Sequence, residues 1–236
     1  MNEHTVKRFE DELSELKAKV LAMGGLVEKA TKRSMNSLIK QDAKRAHKVI
    51  ERDHAINALE IEIDEMTRTM LALRQPAASD LRFVMTTIKV VTDLERMGDL
   101  AEDIAENMLK TGDHPLTQIS SLQSLSDLVL DQLKEALDAF AKGDLDEAMT
   151  CIENDKKVDE KFKSIQREYL TYMMEDPRQI SAGLIATNIA RDLERIADHA
   201  VNVAEMVIYM VKGHEVRHVD HETAAALVNG TLQDET

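Results

Sequence analysis

The chain writes one acidic helical pattern twice. "DLERMGD" at Asp93 to Asp99 returns as "DLERIAD" at Asp192 to Asp198, ninety-nine residues later. Other landmarks keep nearly the same shift. "KQD" at Lys40 to Asp42 matches "KGD" at Lys142 to Asp144, "IERD" at Ile50 to Asp53 matches "IEND" at Ile152 to Asp155, and Pro76 matches Pro177. A repeat of about a hundred residues is too long for a solenoid unit and suits a duplicated domain.

Within each repeat the apolar residues recur at helical spacing. Phe9, Leu13, Leu16, Val20, Met23 and Val27 step by threes and fours, as do Ile56, Leu59, Ile63, Met66 and Met70. Leu94, Met97, Ala101, Ile104 and Met108 form a third run, answered by Leu193, Ile196, Ala200, Val203 and Val207. Pro76, Pro115 and Pro177 fall between runs, where a missing N–H and a fixed φ disfavour a continuing helix. The other two breaks end in Asp42 and Asp144, natural N-caps. Five breaks predict six long helices in an all-α fold of two homologous three-helix bundles. The expected divisions are residues 1–112, 113–213 and a C-terminal tail, 214–236. "MGGLVE" at Met23 to Glu28 interrupts the first helix with two glycines and reads as a tolerated kink rather than a close helix approach.

Composition narrows the function. Seven aromatics and no Trp leave the core to aliphatic side chains, which suits helix packing. A formal charge of −14 argues against nucleic acid, whose binding draws affinity from clustered Lys and Arg. Cys151 is the only cysteine, so no internal disulfide can form and a reducing compartment is expected. The beginning, "MNEHTVKRFEDEL", lacks an apolar signal core, and no apolar run approaches the roughly 18 residues of a membrane span. A cytoplasmic protein without membrane insertion is expected.

The twin motifs carry the chemistry. Glu95 and Asp99 are four apart, as are Glu194 and Asp198, so each pair projects from one helix face. Asp103 extends the first row, and both rows are expected to face outward, away from the apolar stripe. The preceding helix of each repeat adds Asp53 with Asn57, and Asp155 with Asp159. Carboxylates about 4 Å apart repel by several kcal/mol at an effective dielectric near 20 unless a proton or a cation intervenes. Oxygen ligands suit Mg, Ca, Mn or Fe better than Zn, which prefers Cys and His. The bland alternative is a pair of solvated faces on a metal-free helical scaffold.

A metal-dependent enzyme built on these carboxylates is the rival reading. A di-iron bundle needs inward Glu-x-x-His motifs on two helices; Glu51 to His54 points away from its stripe, and Glu215 to His218 lies in the tail. No nucleophile–base pair or Gly-rich phosphate loop is evident. His214, His218 and His221 cluster near the C-terminus and read as a solvated group. Leu81, Val84, Met85, Ile88 and Val91 lie off the main stripe, either as a dimer or partner surface or as residues buried beneath the other bundle.

With both motifs and the repeat established, the sequence resembles the PhoU family, phosphate-signalling adaptors of bacteria. The resemblance runs over nearly the whole chain. It rests on "MGGLVE", "RQPAASDLR" at Arg74 to Arg82, "DLERMGD", "DKKVDE" at Asp155 to Glu160, "LTYMMEDPR" at Leu170 to Arg178, "DLERIAD" and "VKGHEVRHV" at Val211 to Val219. It implies two homologous three-helix bundles, homodimers, and a non-enzymatic negative regulator of the phosphate-starvation response. Such proteins link a high-affinity phosphate ABC transporter, through its ATPase, to a sensor histidine kinase. The resemblance also implies divalent or trivalent metal (Fe, Mn, Mg or Zn) on Glu/Asp-xxx-Asp motifs. Those motifs carry over to Glu95 with Asp99, Glu194 with Asp198, and Asp155 with Asp159. Asn57 departs from the acidic pattern where Asp159 keeps it, and Asn202 departs where the first repeat has Asp103, so the two sites are expected to differ.

Overall fold

The computed structural model describes residues 3–112, 116, 118–216 and 221–228. Six long helices follow the sequence pattern: α1 (Glu3–Ile39), α2 (Ala43–Arg74), α3 (Ala78–Lys110), α4 (Ile119–Lys142), α5 (Leu145–Glu175) and α6 (Ile180–Lys212). A 3-10 turn at Pro177–Gln179 separates α5 from α6. A seventh helix, α7 (His221–Val228), packs on α5. Its eight residues, "HETAAALV", are Ala-rich and helix-forming but too short to show a period. No described helix is long and apolar enough to cross a membrane.

The breaks work as capping chemistry predicts. Asp42 accepts a hydrogen bond from the Arg45 backbone N–H, and Asp144 accepts from those of Asp146 and Glu147. Both turns share one closing bond, from the N–H of Asp42 to the Ser37 carbonyl and from that of Asp144 to the Ala139 carbonyl. Gly143 takes the left-handed conformation this turn requires, at φ 67°. In the first repeat Gln41 holds the same place at φ 49°.

Helices α1, α2 and α3 pack on one another, as do α4, α5 and α6. Across the repeats, α3 lies along α6 and α1 packs on α4, so one continuous apolar core serves both. Burying a Leu, Ile or Met there contributes about 1.5–3 kcal/mol each. Leu94 and Leu193, the second residues of the twin motifs, are fully buried.

Two expectations change. Gly24 is no bland kink: a Cβ built there would collide with the Leu137 side chain of α4, whereas one at Gly25 meets nothing within 4 Å. The first glycine is there so that α1 and α4 can approach. The patch of Leu81, Val84, Met85, Ile88 and Val91 is not a single surface either. Val84 and Val91 are buried within the chain, Ile88 is half-buried, and only Leu81 and Met85 are exposed.

Polar side chains also cross between repeats. Asp93 of α3 lies 2.8 Å from His199 Nδ1 and accepts from Asn202 Nδ2 at 3.2 Å, both on α6. Asp192 of α6 accepts from Asn107 Nδ2 of α3 at 3.3 Å. His214 lies in the described stretch after α6, whereas His218 and the His221 side chain lie outside the described residues.

Candidate metal centre

As expected of outward rows, Asp99 and Asp198 are exposed, whereas Glu95 and Glu194 are half-buried. The pairs line the seams where α3 meets α2 and where α6 meets α5. Gly98 opens the first seam: a Cβ there would stand 3.0 Å from Ile56 and 3.3 Å from the Asp53 carboxylate. With only hydrogen at this point, α2 and α3 close tightly and carry Asp53 inward, where it is 8% exposed.

In the first repeat Asp53, Asp99 and Glu102 each offer an oxygen, all within 4.8 Å of one another. Asn57 does not join as a fourth acid; its amide donates to Asp53 Oδ2 at 2.7 Å. The other carboxylate oxygen, Asp53 Oδ1, is buried without a hydrogen-bond partner. An orphaned buried carboxylate oxygen is costly, and two further carboxylates at this distance add roughly 3 kcal/mol of repulsion per pair at an effective dielectric of about 20. Burial pushes the Asp53 carboxyl above its ordinary range against the Asn57 hydrogen bond, with Asp99 adding to the rise. Glu102 is raised by burial first and then by the Asp53 charge. A hard cation among these oxygens would relieve all three effects, so the residues present fit an oxygen-ligated metal.

Glu95 lies beside this triad rather than in it. Burial raises its carboxyl, followed by the charges of Asp99 and, more weakly, Glu60 and Asp53, while Arg96 opposes the rise at 3.9 Å. Asp103, the continuation of the row, is raised by burial and then by Glu106 and Asp99, and its charge also raises Asp192 on α6. Glu102 was missed by the four-residue step. The legible signal was Glu95, Asp99 and Glu102 at i, i+4 and i+7, the stripe that keeps facing one neighbouring helix.

The second repeat is built differently. Glu194 and Asp198 are each raised by burial and then by acidic neighbours, Asp198 acting on Glu194 and Asp155 on Asp198, so the four carboxylates share one seam. Yet among the described residues no second set of three brings ligand atoms so close. The position of Glu102 is taken by Val201, Gln132 Nε2 donates to Asp155 Oδ1 at 3.3 Å, and Lys163 pairs with Asp159 at 2.8 Å. Ala30 stands where the second repeat has Gln132, which is why Asp53 Oδ1 has no donor.

A cavity of about 390 Å³ opens on the first seam, lined by Asp53 and Glu102 together with Leu26, Val49, Ile56, Arg33 and Arg52.

Fold and seams together define a duplicated helical-bundle protein that concentrates carboxylates between helices at matched places in each repeat. The PhoU domain matches it twice, over residues 20–108 and 122–207. The chain belongs to the PhoU family. It is 43% identical over 234 residues to the phosphate-specific transport system accessory protein PhoU homolog of Pseudomonas putida, covering 98% of this chain and 91% of that one. The corresponding accessory protein of Escherichia coli K12 is 40% identical over 235 residues, covering 99% and 98%. The crystal structure of PhoU from Pseudomonas aeruginosa superposes with a TM-score of 0.83 at 45% identity, over 87% of this chain and all of that one. The phosphate transport system regulatory protein PhoU of Streptococcus pneumoniae gives the same TM-score at 32% identity, over 88% and 99%.

Proposed function

We propose that the protein is an accessory regulator of phosphate transport that represses the phosphate-starvation response. It acts in the cytoplasm, as a homodimer, by contact rather than turnover. Its partners are the ATPase of a phosphate ABC transporter and a sensor histidine kinase. The observation that carries this reading is similarity over nearly the full length to proteins named as accessory to phosphate-specific transport. Deleting the gene should leave phosphate-starvation genes expressed in phosphate-rich medium; normal repression in the deletion strain overturns the reading.

Metal belongs to the same proposal. Asp53, Asp99 and Glu102 would hold a divalent or trivalent cation, and its charge would neutralise the seam. The orphaned Asp53 Oδ1 carries this part. The second seam, with Asp155, Asp159, Glu194 and Asp198, is the weaker site because Gln132 and Lys163 already engage two of its acids. Elemental analysis of purified protein should find metal that Asp53→Asn and Glu102→Gln remove. If metal-loaded protein hydrolysed phosphate esters and those variants lost the activity, the rival reading as an enzyme would replace this one.

A further inference from the structure

Beyond the acidic seam, α1 and α2 form a second concavity of about 460 Å³, and Arg33 and Arg52 border both. Arg33 of α1 faces Lys44, Arg45, Lys48 and Arg52 of α2 across it. Lys44, Lys48 and Arg52 stand at i, i+4 and i+8, one face of α2 spanning about 12 Å. The one acid in the wall is Asp42, held by Arg45 Nε at 2.8 Å and by its own capping bond. Arg33, Lys44, Lys48 and Arg52 make no ion pair with any described residue. Four exposed cations thus converge on one groove in a chain of formal charge −14.

The duplication supplies a control. "KQD" and "KGD" place the second repeat 102 residues further on, so Arg33 answers to Glu135, Lys44 to Asp146, Arg45 to Glu147, Lys48 to Thr150 and Arg52 to Asn154. Asn154 Nδ2 donates to both Glu135 oxygens, at 3.0 and 2.9 Å. The same helix pair is therefore built without a single one of these cations, and with acids at three of the five places. The basic groove is not something the fold requires.

We propose that this groove binds a small anion carrying two linked phosphate groups. A lone phosphate bears about −1.5 to −2 at neutral pH and two linked ones carry more in total, so four unpaired cations match the linked pair better than a lone one. Arg33 and Arg52 present planar donor forks that suit phosphate oxygens, and Lys44 and Lys48 add point charges along the wall. Concave walls of one sign also concentrate the field on an entering anion. The site stands on these side chains alone and goes beyond both parts of the regulatory reading; the seam carboxylates Asp53 and Glu102 line the neighbouring cavity, not this groove.

The test is calorimetric titration of the full chain with pyrophosphate, and with orthophosphate for comparison, in chelated buffer of low ionic strength. Pyrophosphate should bind saturably and at least tenfold more tightly than orthophosphate. Arg33→Glu with Arg52→Asn, which installs residues the second repeat already tolerates, should weaken it at least tenfold while the circular dichroism melt stays cooperative. Lys134→Gln, an exposed cation elsewhere, should leave binding unchanged. Absence of saturable pyrophosphate binding overturns the proposal, as does a double variant that binds like the parent. A salt-sensitive dimer lost in the double variant, without any anion binding, would make the groove a contact with the acidic face of a second copy and equally overturn it. Metal is chelated throughout, so failure of the metal reading leaves this result standing.

Discussion

Gly24 of α1 lies so close against Leu137 of α4 that even one added methyl would collide with it. Leu137 is itself nearly buried, so the contact has little freedom to yield. Gly24→Val should therefore destabilise the protein by about 1–3 kcal/mol through overpacking. Leu137→Ala should cost about 2 kcal/mol alone. Combined, the two should cost less than their sum by at least about 1 kcal/mol, because the small residue makes room for the large one. Urea denaturation of the four proteins reads the coupling.

The carboxylates of the first seam make a second prediction. In chelator, Glu102→Gln should melt higher than the parent, because it removes like charge from beside Asp53 and Asp99. With manganese or magnesium added, the parent should gain stability with concentration, about 2.7 kcal/mol at a hundred times the dissociation constant, and the variant should not. A parent melt indifferent to either ion would remove both from the seam.

Asp192 sets a pH dependence. Burial pushes its carboxyl up to about 6, with the Asp103 charge adding and Arg195 opposing. In the unfolded chain an Asp titrates near 3.8. Because the folded value is the higher one, its contribution is fully present below the unfolded value and is lost as pH rises through about 6. Asp192→Asn, which keeps an oxygen acceptor for Asn107, should stabilise the protein by about 2 kcal/mol at pH 8. The gain should vanish by pH 4, as measured by denaturation at both values.

The two bundle turns differ at one backbone position. Gln41 sits at φ 49° where Gly143 holds φ 67°. A non-glycine residue there costs about 1 kcal/mol or more, partly offset by the bond from Gln41 Nε2 to the Leu38 carbonyl at 2.9 Å. Gln41→Gly should raise stability by about 0.5 kcal/mol, seen as a higher melting temperature in a differential scan.

The helices were readable because their stripes hold period through thirty residues and their ends carry Pro or a capping Asp. Glu95, Asp99, Glu194 and Asp198 were readable as pairs for the same reason. Their neighbours were not, since counting from the apolar stripe does not say which helix lies beside the row. In the first repeat Gly98, whose missing side chain lets α2 close on α3, brings Asp53 to the row, and a glycine's packing partner leaves no mark in its own helix; the second repeat has Ala197 there. Glu102 was hidden likewise: only the position of α2 decides whether it or its neighbour Asp103 meets Asp53. Gln132 and Ala30 decide which buried carboxylate has a donor, and they lie on helices remote from the motif in sequence.

The seating of α3 along α6 has a consequence for how such a molecule was inherited. Once an ancestral half buried its stripe against its copy, neither could be discarded without leaving a greasy flank in water. At the margins the copies now differ, one carrying Arg33 and Arg52 where the other has Glu135 and Asn154. The two halves became mechanically indivisible while growing chemically unlike.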